Sequence, residues 1–221
     1  MDVSFGSEAQ ASESSVALPA NVARNFRSTA YDRAADDWYV EPRWCVEMLA
    51  DAIDFCGDWI WDPCCGGGTI PSVFTERRNP TVATDIVDRG YPFFSGIWDA
   101  TGEGCPNEVP VGARVSVVMN PPFKLAEDIA RRMLRLADRR VVMLQQLSFL
   151  ASVGRQALFS DYPPSDILIL SKRPSMPPGH KIAELGPKAF KGGTTDFCWI
   201  VWTKPHDRET RVRWMAPGAV A

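Results

Sequence analysis

Trp59-Ile60-Trp61-Asp62-Pro63-Cys64-Cys65-Gly66-Gly67-Gly68-Thr69 is the stretch on which the fold of this 221-residue chain turns. Its three leading apolar residues make a short buried strand, an acid ends that strand, and three glycines form a turn whose backbone can come close to a ligand. Ile70 to Arg78 then has a helical pattern, with Thr69 as cap and Pro71 in the first turn, where a missing N–H costs nothing. Strand, glycine turn and helix in this order open a Rossmann-like unit built on a parallel sheet.

Further strands follow, and their ends carry polar groups. Thr81-Val82-Ala83-Thr84 ends at Asp85, about 20 residues beyond the glycine loop, the spacing at which an acid reaches a ribose hydroxyl. Phe93 to Trp98 leads to Asp99 and Ala100, and Val115 to Met119 leads to Asn120-Pro121-Pro122-Phe123. Pro121 and Pro122 fix their own φ and hold Asn120 extended, so the Asn120 amide and the Phe123 ring project from a preset backbone. Ligands in alternating α/β folds bind beyond the carboxyl ends of the strands, where Asp62, Asp85, Asp99 and Asn120 all lie. Taken singly, each acid is as readily a turn or cap residue; their coincidence at four ends carries the argument.

The remainder of the chain is organised around this domain. Residues 1–35, rich in Ser, Ala, Asn and acids, read as an N-terminal arm, 36–205 as the catalytic domain and 206–221 as a polar C-terminal tail. Before the glycine loop, Trp44, Met48, Leu49, Ala52, Ile53 and Phe55 fall near one face of a helix closed by Gly57. Beyond Asn120, Leu125, Ile129, Met133, Leu134 and Leu136 mark another helix, whose Arg131, Arg132 and Arg135 read as a solvated face. Val141 to Leu144, Ile167 to Leu170 and Phe197 to Trp202 are strands, and Ser148 to Phe159 is expected to be helical. Lys172 to Gly193 is a long, basic connection rich in Pro and Gly, the kind of loop that is usually functional or disordered.

Composition narrows the class. With 45% hydrophobic residues the chain can bury one good core, and it has neither a membrane-length apolar run nor a signal-peptide pattern, so a cytoplasmic protein without membrane contact is expected. Six cysteines without paired spacing, and only two histidines, indicate neither a zinc site nor a disulfide framework. Residues 1–110 hold 7 Lys/Arg against 18 Asp/Glu, and 111–221 hold 17 against 9, so a polyanion would be met by the second half.

The glycine loop also discriminates among cofactors. No Lys follows the glycines as a phosphate loop requires, the third glycine of a dinucleotide fingerprint falls on Pro71, and Asp62 would repel a pyrophosphate. A phosphate-free, cationic cofactor fits better, and S-adenosylmethionine has both properties.

Over roughly residues 36 to 204 the sequence resembles the class I S-adenosylmethionine-dependent methyltransferases, in particular the amino-methyltransferases of nucleic-acid bases. Asp62-Pro63-Cys64-Cys65-Gly66-Gly67-Gly68 is similar to their D-P-x-x-G-x-G cofactor motif, and Asn120-Pro121-Pro122-Phe123 to their [DNS]-P-P-[YFW] catalytic motif. The order and the Asn-Pro-Pro-Phe ending are most similar to N6-adenine DNA methyltransferases, small phage-encoded forms included. The resemblance implies an α/β fold with a mostly parallel central sheet, helices on both faces and an antiparallel last strand. It implies a cofactor site of Tyr39, Val40, Pro42, Asp62, Pro63, Cys64, Gly66, Gly68, Asp85 with Ile86, Asp99 with Ala100, and Asn120. It further implies that Asn120 and the Pro121 carbonyl accept the two N–H groups of the target amine, that Pro122 holds the loop and that Phe123 stacks on a base flipped from its helix. Lys172, Arg173, Lys181, Lys188 and Lys191 are the expected nucleic-acid contacts, with DNA the expected partner. Val40 departs from the Thr or Ser common at its position, and no separate target-recognition domain is expected within these residues. RNA adenine, cytosine or a protein glutamine remain alternative acceptors, and a catalytically silent binding module is the alternative from another class.

Overall fold

In the computed structural model, which describes residues 37–205 and 209–216, eight strands form one sheet in the order β3-β2-β1-β4-β5-β7-β6-β8. They are β1 (Trp59–Asp62), β2 (Thr81–Asp85), β3 (Gly96–Ile97), β4 (Val115–Met119), β5 (Arg140–Gln146), β6 (Asp166–Leu170), β7 (Phe197–Thr203) and β8 (Arg211–Met215). β3, β2, β1, β4 and β5 run parallel, and β7 enters antiparallel between β5 and β6. The expected arm over 1–35 lies outside the described residues.

Alternation along the central strands explains why helices cover both faces. On β4, Val115, Val117 and Met119 face one apolar cluster and Val118 the other; on β5, Val141 and Met143 oppose Val142 and Leu144. Both sides of each strand are apolar, so neither can face water. Helix α3 (Ala126–Leu136) closes the first cluster with Ile129, Ala130, Met133 and Leu134, while α1 (Arg43–Ala52) and α2 (Thr69–Glu76) close the second. Helix α1 buries Cys45, Val46 and Leu49; the face expected from Trp44 and Met48 is only partly covered, being displaced from the true contact stripe.

Three further expectations are corrected. The expected tail 206–221 contains β8, which pairs parallel with β6 and is held there by Arg211 and Arg213 on Asp166. Its alternation of arginines with Val212 and Trp214 reads as polar, because an edge strand buries only Met215. Ser148 to Phe159 is not one helix: two 3-10 turns precede a short α4 (Gln156–Asp161). Thr69 is not the cap of α2 but its first residue; Gly68 is the N-cap, in the left-handed region at φ 84°.

Gly68 has a second constraint, since a Cβ built there would lie 2.1–2.4 Å from ring atoms of Tyr91. A side chain at this position meets backbone strain and a ring it must displace together. Gly68→Ala is therefore expected to lose about 1–3 kcal/mol of stability, measured by urea unfolding; a loss within experimental error would show that Tyr91 moves freely.

Candidate active site

The strand order reverses between β1 and β4, because the chain leaves β1 toward β2 and β3 on one side and later fills β4, β5 and the rest on the other. Their carboxyl ends therefore splay apart, and loops leaving them in opposite directions leave a crevice. An open cleft enclosing about 670 Å³ lies there, with Asn120 from β4 at its wall and the glycine loop from β1 at its floor.

The cleft is lined by Tyr39, Val40, Pro63, Cys64, Gly66, Asp85, Ile86, Asp99, Ala100, Asn120 and Pro122, all expected from the sequence. Pro42, Asp62, Gly68, Pro121 and Phe123 do not line it. Pro42 is the residue before α1, Gly68 packs under Tyr91, and Asp62 is buried with its carboxylate accepting the Cys64 N–H at 3.0 Å. Phe123 is half-buried, its ring 5.8 Å from Tyr39 and 6.3 Å from Phe197.

Trp38 and Glu41 also line it, within the stretch Trp38-Tyr39-Val40-Glu41-Pro42 that resembles the family's segment closing over the methionine part of the cofactor; Arg89, Trp98, Leu125 and Ile129 line it without having been expected there. Trp38 lies so close to Gly66 and Gly179 that a Cβ on either would collide with its indole, and Arg89 covers the ring at 4.2 Å. Trp98 is held between Trp61 and Arg132. Arg132 is thus no solvated side chain: it is 7% exposed and donates to the carbonyls of Asp99 and Gly104. Helical spacing places it on the polar face, but the loop after β3 folds over that face and buries it.

Three acids converge on the glycine loop. Asp85 accepts the Gly66 N–H at 2.8 Å and the Val87 N–H at 3.1 Å, so it holds the loop's shape as well as facing the cleft. Burial, reinforced by the Glu41 charge, pushes the Asp62 carboxyl well above its ordinary range. Burial also pushes Glu41 up to about 7, against hydrogen bonds to its own backbone, Asn120 and Thr69. Asp99 goes the other way, held below the usual range by the hydroxyl and N–H of Thr101. A concentration of buried carboxyls repels phosphate and favours a cation.

The Asn120 amide is the second element of the site. Its Nδ2 donates to the Tyr39 carbonyl at 2.9 Å and to Glu41 Oε2 at 2.8 Å. A carbonyl can only accept, so the nitrogen end must face Tyr39 and the oxygen end is the one left for a ligand.

None of the expected nucleic-acid contacts lines the cleft. Lys172 lies over the Trp44 ring, Arg173 pairs with Asp196 and Lys181 with Glu184, whereas Lys188 and Lys191 are exposed. Their loop nevertheless reaches the site, because Val40 N–H donates to the Pro177 carbonyl and Gly179 N–H to the Trp38 carbonyl.

No family model and no curated protein matches the sequence. Solved structures do. A type I restriction-modification system methyltransferase subunit from Streptococcus thermophilus superposes with a TM-score of 0.57 at 13% identity, over 84% of this chain and 48% of that one. The hMettl16 catalytic domain in complex with the MAT2A 3′UTR hairpin 1 superposes with a TM-score of 0.53 at 11% identity, over 79% of this chain and 75% of that one. The chain has the class I S-adenosylmethionine-dependent methyltransferase fold. It spans about half the length of the restriction-modification subunit. Among the described residues no helix is long and apolar enough to cross a membrane.

The residues present fit S-adenosylmethionine. Its positive groups suit the carboxylate of Asp85, which lines the cleft beside the glycine loop, and apolar Ile86, Trp98 and Ala100 beside the ionised Asp99 suit an adenine ring. Asp85→Asn is expected to weaken cofactor binding about tenfold or more. It removes a charge and, because each carboxylate oxygen accepts a backbone N–H, sets an amide N–H against that of either Gly66 or Val87. Titration calorimetry checks this, and an unchanged affinity would remove Asp85 from the cofactor site.

Proposed function

We propose that this protein transfers a methyl group from S-adenosylmethionine to the exocyclic amine of adenine in a nucleic acid, with DNA as the first reading. The observation that carries it is the orientation of Asn120: both amide hydrogens are taken by Tyr39 and Glu41, so only Oδ1 is offered to the cleft. Such a group selects a ligand that donates an N–H. S-adenosylmethionine, when bound, supplies an electrophilic methyl on a sulfonium.

An adenine amine is a weak nucleophile because its lone pair is delocalised into the ring. Asn120 Oδ1 draws one N–H out of the ring plane and so localises that pair on nitrogen, with no base required beforehand. The rigid Asn120-Pro121-Pro122 backbone would fix where the acceptor amine sits, and a transfer of this kind gains most of its rate from holding the reacting atoms about 3–3.5 Å apart. The leaving group is a neutral thioether, and the surplus proton of the methylated amine would pass to water in the open cleft. Pro122 and Leu125 wall the cleft next to Asn120, and Phe123 supports Tyr39 from behind. A flipped base gains about 1–3 kcal/mol by stacking on an aromatic surface, enough to offset its unstacking.

RNA is the second reading, favoured by the fold likeness to hMettl16 in complex with an RNA hairpin. Incubation with labelled S-adenosylmethionine and, separately, duplex DNA, single-stranded DNA, RNA and a protein extract tests both. Digestion should return N6-methyladenine from a DNA arm. Label in RNA alone selects the second reading, and label in protein alone or in no arm overturns the proposal.

A further inference from the structure

The short segment Tyr39-Val40-Glu41 crosses the cleft and supplies both partners of the Asn120 amide nitrogen. The Tyr39 carbonyl takes one hydrogen; without Glu41 the second would have no fixed acceptor, and the amide could rock about its bond to the backbone. Turning the amide over would set Oδ1 against a carbonyl and a carboxyl, two acceptors facing a third. Glu41 is itself held on several sides. It is 6% exposed, is hydrogen-bonded by the Thr69 side chain at the start of α2, and faces Asp62 from β1. Burying a carboxyl here is costly, and packing would be served as well by an apolar side chain.

We infer that Glu41 is a positioning residue for Asn120: it holds the amide with Oδ1 turned to the amine of the acceptor. The inference rests on the proposed role of Asn120. It goes beyond the cofactor and catalytic residues expected from the sequence, among which Glu41 has no role.

Its titration follows from the same surroundings. The groups facing Glu41 are Asp62 and, behind it, Asp85, with Thr69 and Asn120 as hydrogen-bond partners and Cys45 on α1. Either protonation state accepts from Asn120, but the ionised carboxylate accepts more strongly. With a raised value of about 7, Glu41 ionises as the pH climbs through neutrality, so turnover rises across that limb. A bound cation moves the limb to lower pH.

Steady-state kinetics at saturating cofactor, together with calorimetry of cofactor binding, test the inference on the full chain. Glu41→Ala should lower kcat about 10–100-fold with cofactor affinity changed by less than about threefold, the loss of one charge-assisted hydrogen bond. Glu41→Gln keeps an acceptor and should recover most of that loss while flattening the limb near neutral pH. Glu41→Ala added to Asn120→Ala should cost nothing further, since the two act as a unit. Unchanged kcat with weakened cofactor binding would make Glu41 a cofactor ligand and overturn the inference. Should the wild type methylate no acceptor, the functional reading fails by itself, and the side-chain amide resonances of Asn120 decide the rest. A shifted, slowly exchanging NH2 pair that collapses in Glu41→Ala supports positioning; a pair indifferent to the substitution overturns it.

Discussion

Asn120→Ala is expected to lower methyl transfer on the order of a thousandfold while leaving the affinity for S-adenosylmethionine nearly intact. The amide is neutral and sits at the wall of the cleft, whereas the group suited to the cofactor's positive charge is the carboxylate of Asp85 beside the glycine loop. Removing Asn120 therefore deletes the acceptor for the substrate N–H and spares the charge pairing. The magnitude is that of losing one preorganised polar group aimed at a reacting centre. Tyr39 and Glu41 lose a donor in the variant, but the Tyr39 segment lines an open cleft and buried Glu41 keeps its hydrogen bond with Thr69. Single-turnover assays alongside calorimetry separate the two quantities. Near wild-type turnover would exclude the mechanism, and a parallel collapse of cofactor binding would reassign Asn120 to the cofactor site.

The second large effect is on stability and lies at the opposite end of the sheet. Asp58, fully buried just before β1, accepts the Ser116 hydroxyl at 2.7 Å and Arg140 Nη1 at 2.8 Å on one oxygen. Arg114 makes an ion-pair contact of 2.9 Å with the other oxygen. The carboxylate thereby joins the amino-terminal ends of β1, β4 and β5. Asp58→Ala strands the buried Ser116 hydroxyl and leaves the largely covered Arg140 guanidinium without its counter-charge; Arg114, over half exposed, can return to water. A loss of about 3–5 kcal/mol is expected, a large part of the about 5–15 kcal/mol that a domain of this kind has to spare. Urea unfolding followed by circular dichroism measures it, with Asp58→Asn as an isosteric companion that keeps the Ser116 bond. A loss below about 1 kcal/mol in both variants would show that the cluster contributes little. Cofactor affinity of the folded fraction should not change, because the cleft lies at the other ends of the strands.

Much of the fold was legible because its signals are local. A run such as Val115 to Met119 is apolar at every position but Ser116 and buried throughout, the pattern of a strand covered on both faces. Asp85 could be placed because strand, turn and helix lengths fix how far along the chain the next strand must end. Arg132 and β8 were misread for the same reason. Arg132 has the spacing of an exposed helical residue, and β8 has the alternation of a polar tail; each is decided by a distant segment, the loop through Gly104 for one and Asp166 on β6 for the other. Glu41 lies in a stretch the sequence marks, but its own role could not be told from its neighbours', since nothing in five consecutive residues says which of them turns inward.

By itself, then, the sequence determined the alternating α/β architecture, the glycine turn after β1, and polar groups at the carboxyl ends of four strands. These follow from backbone sterics and from hydrophobic periodicity within a dozen residues. Only the tertiary structure decided that β7 inserts between β5 and β6, that Arg132 is buried, and that Glu41 reaches Asn120 across 79 positions of chain. Those outcomes depend on which distant surfaces exclude water from one another, a competition settled by the whole core rather than by any segment of it.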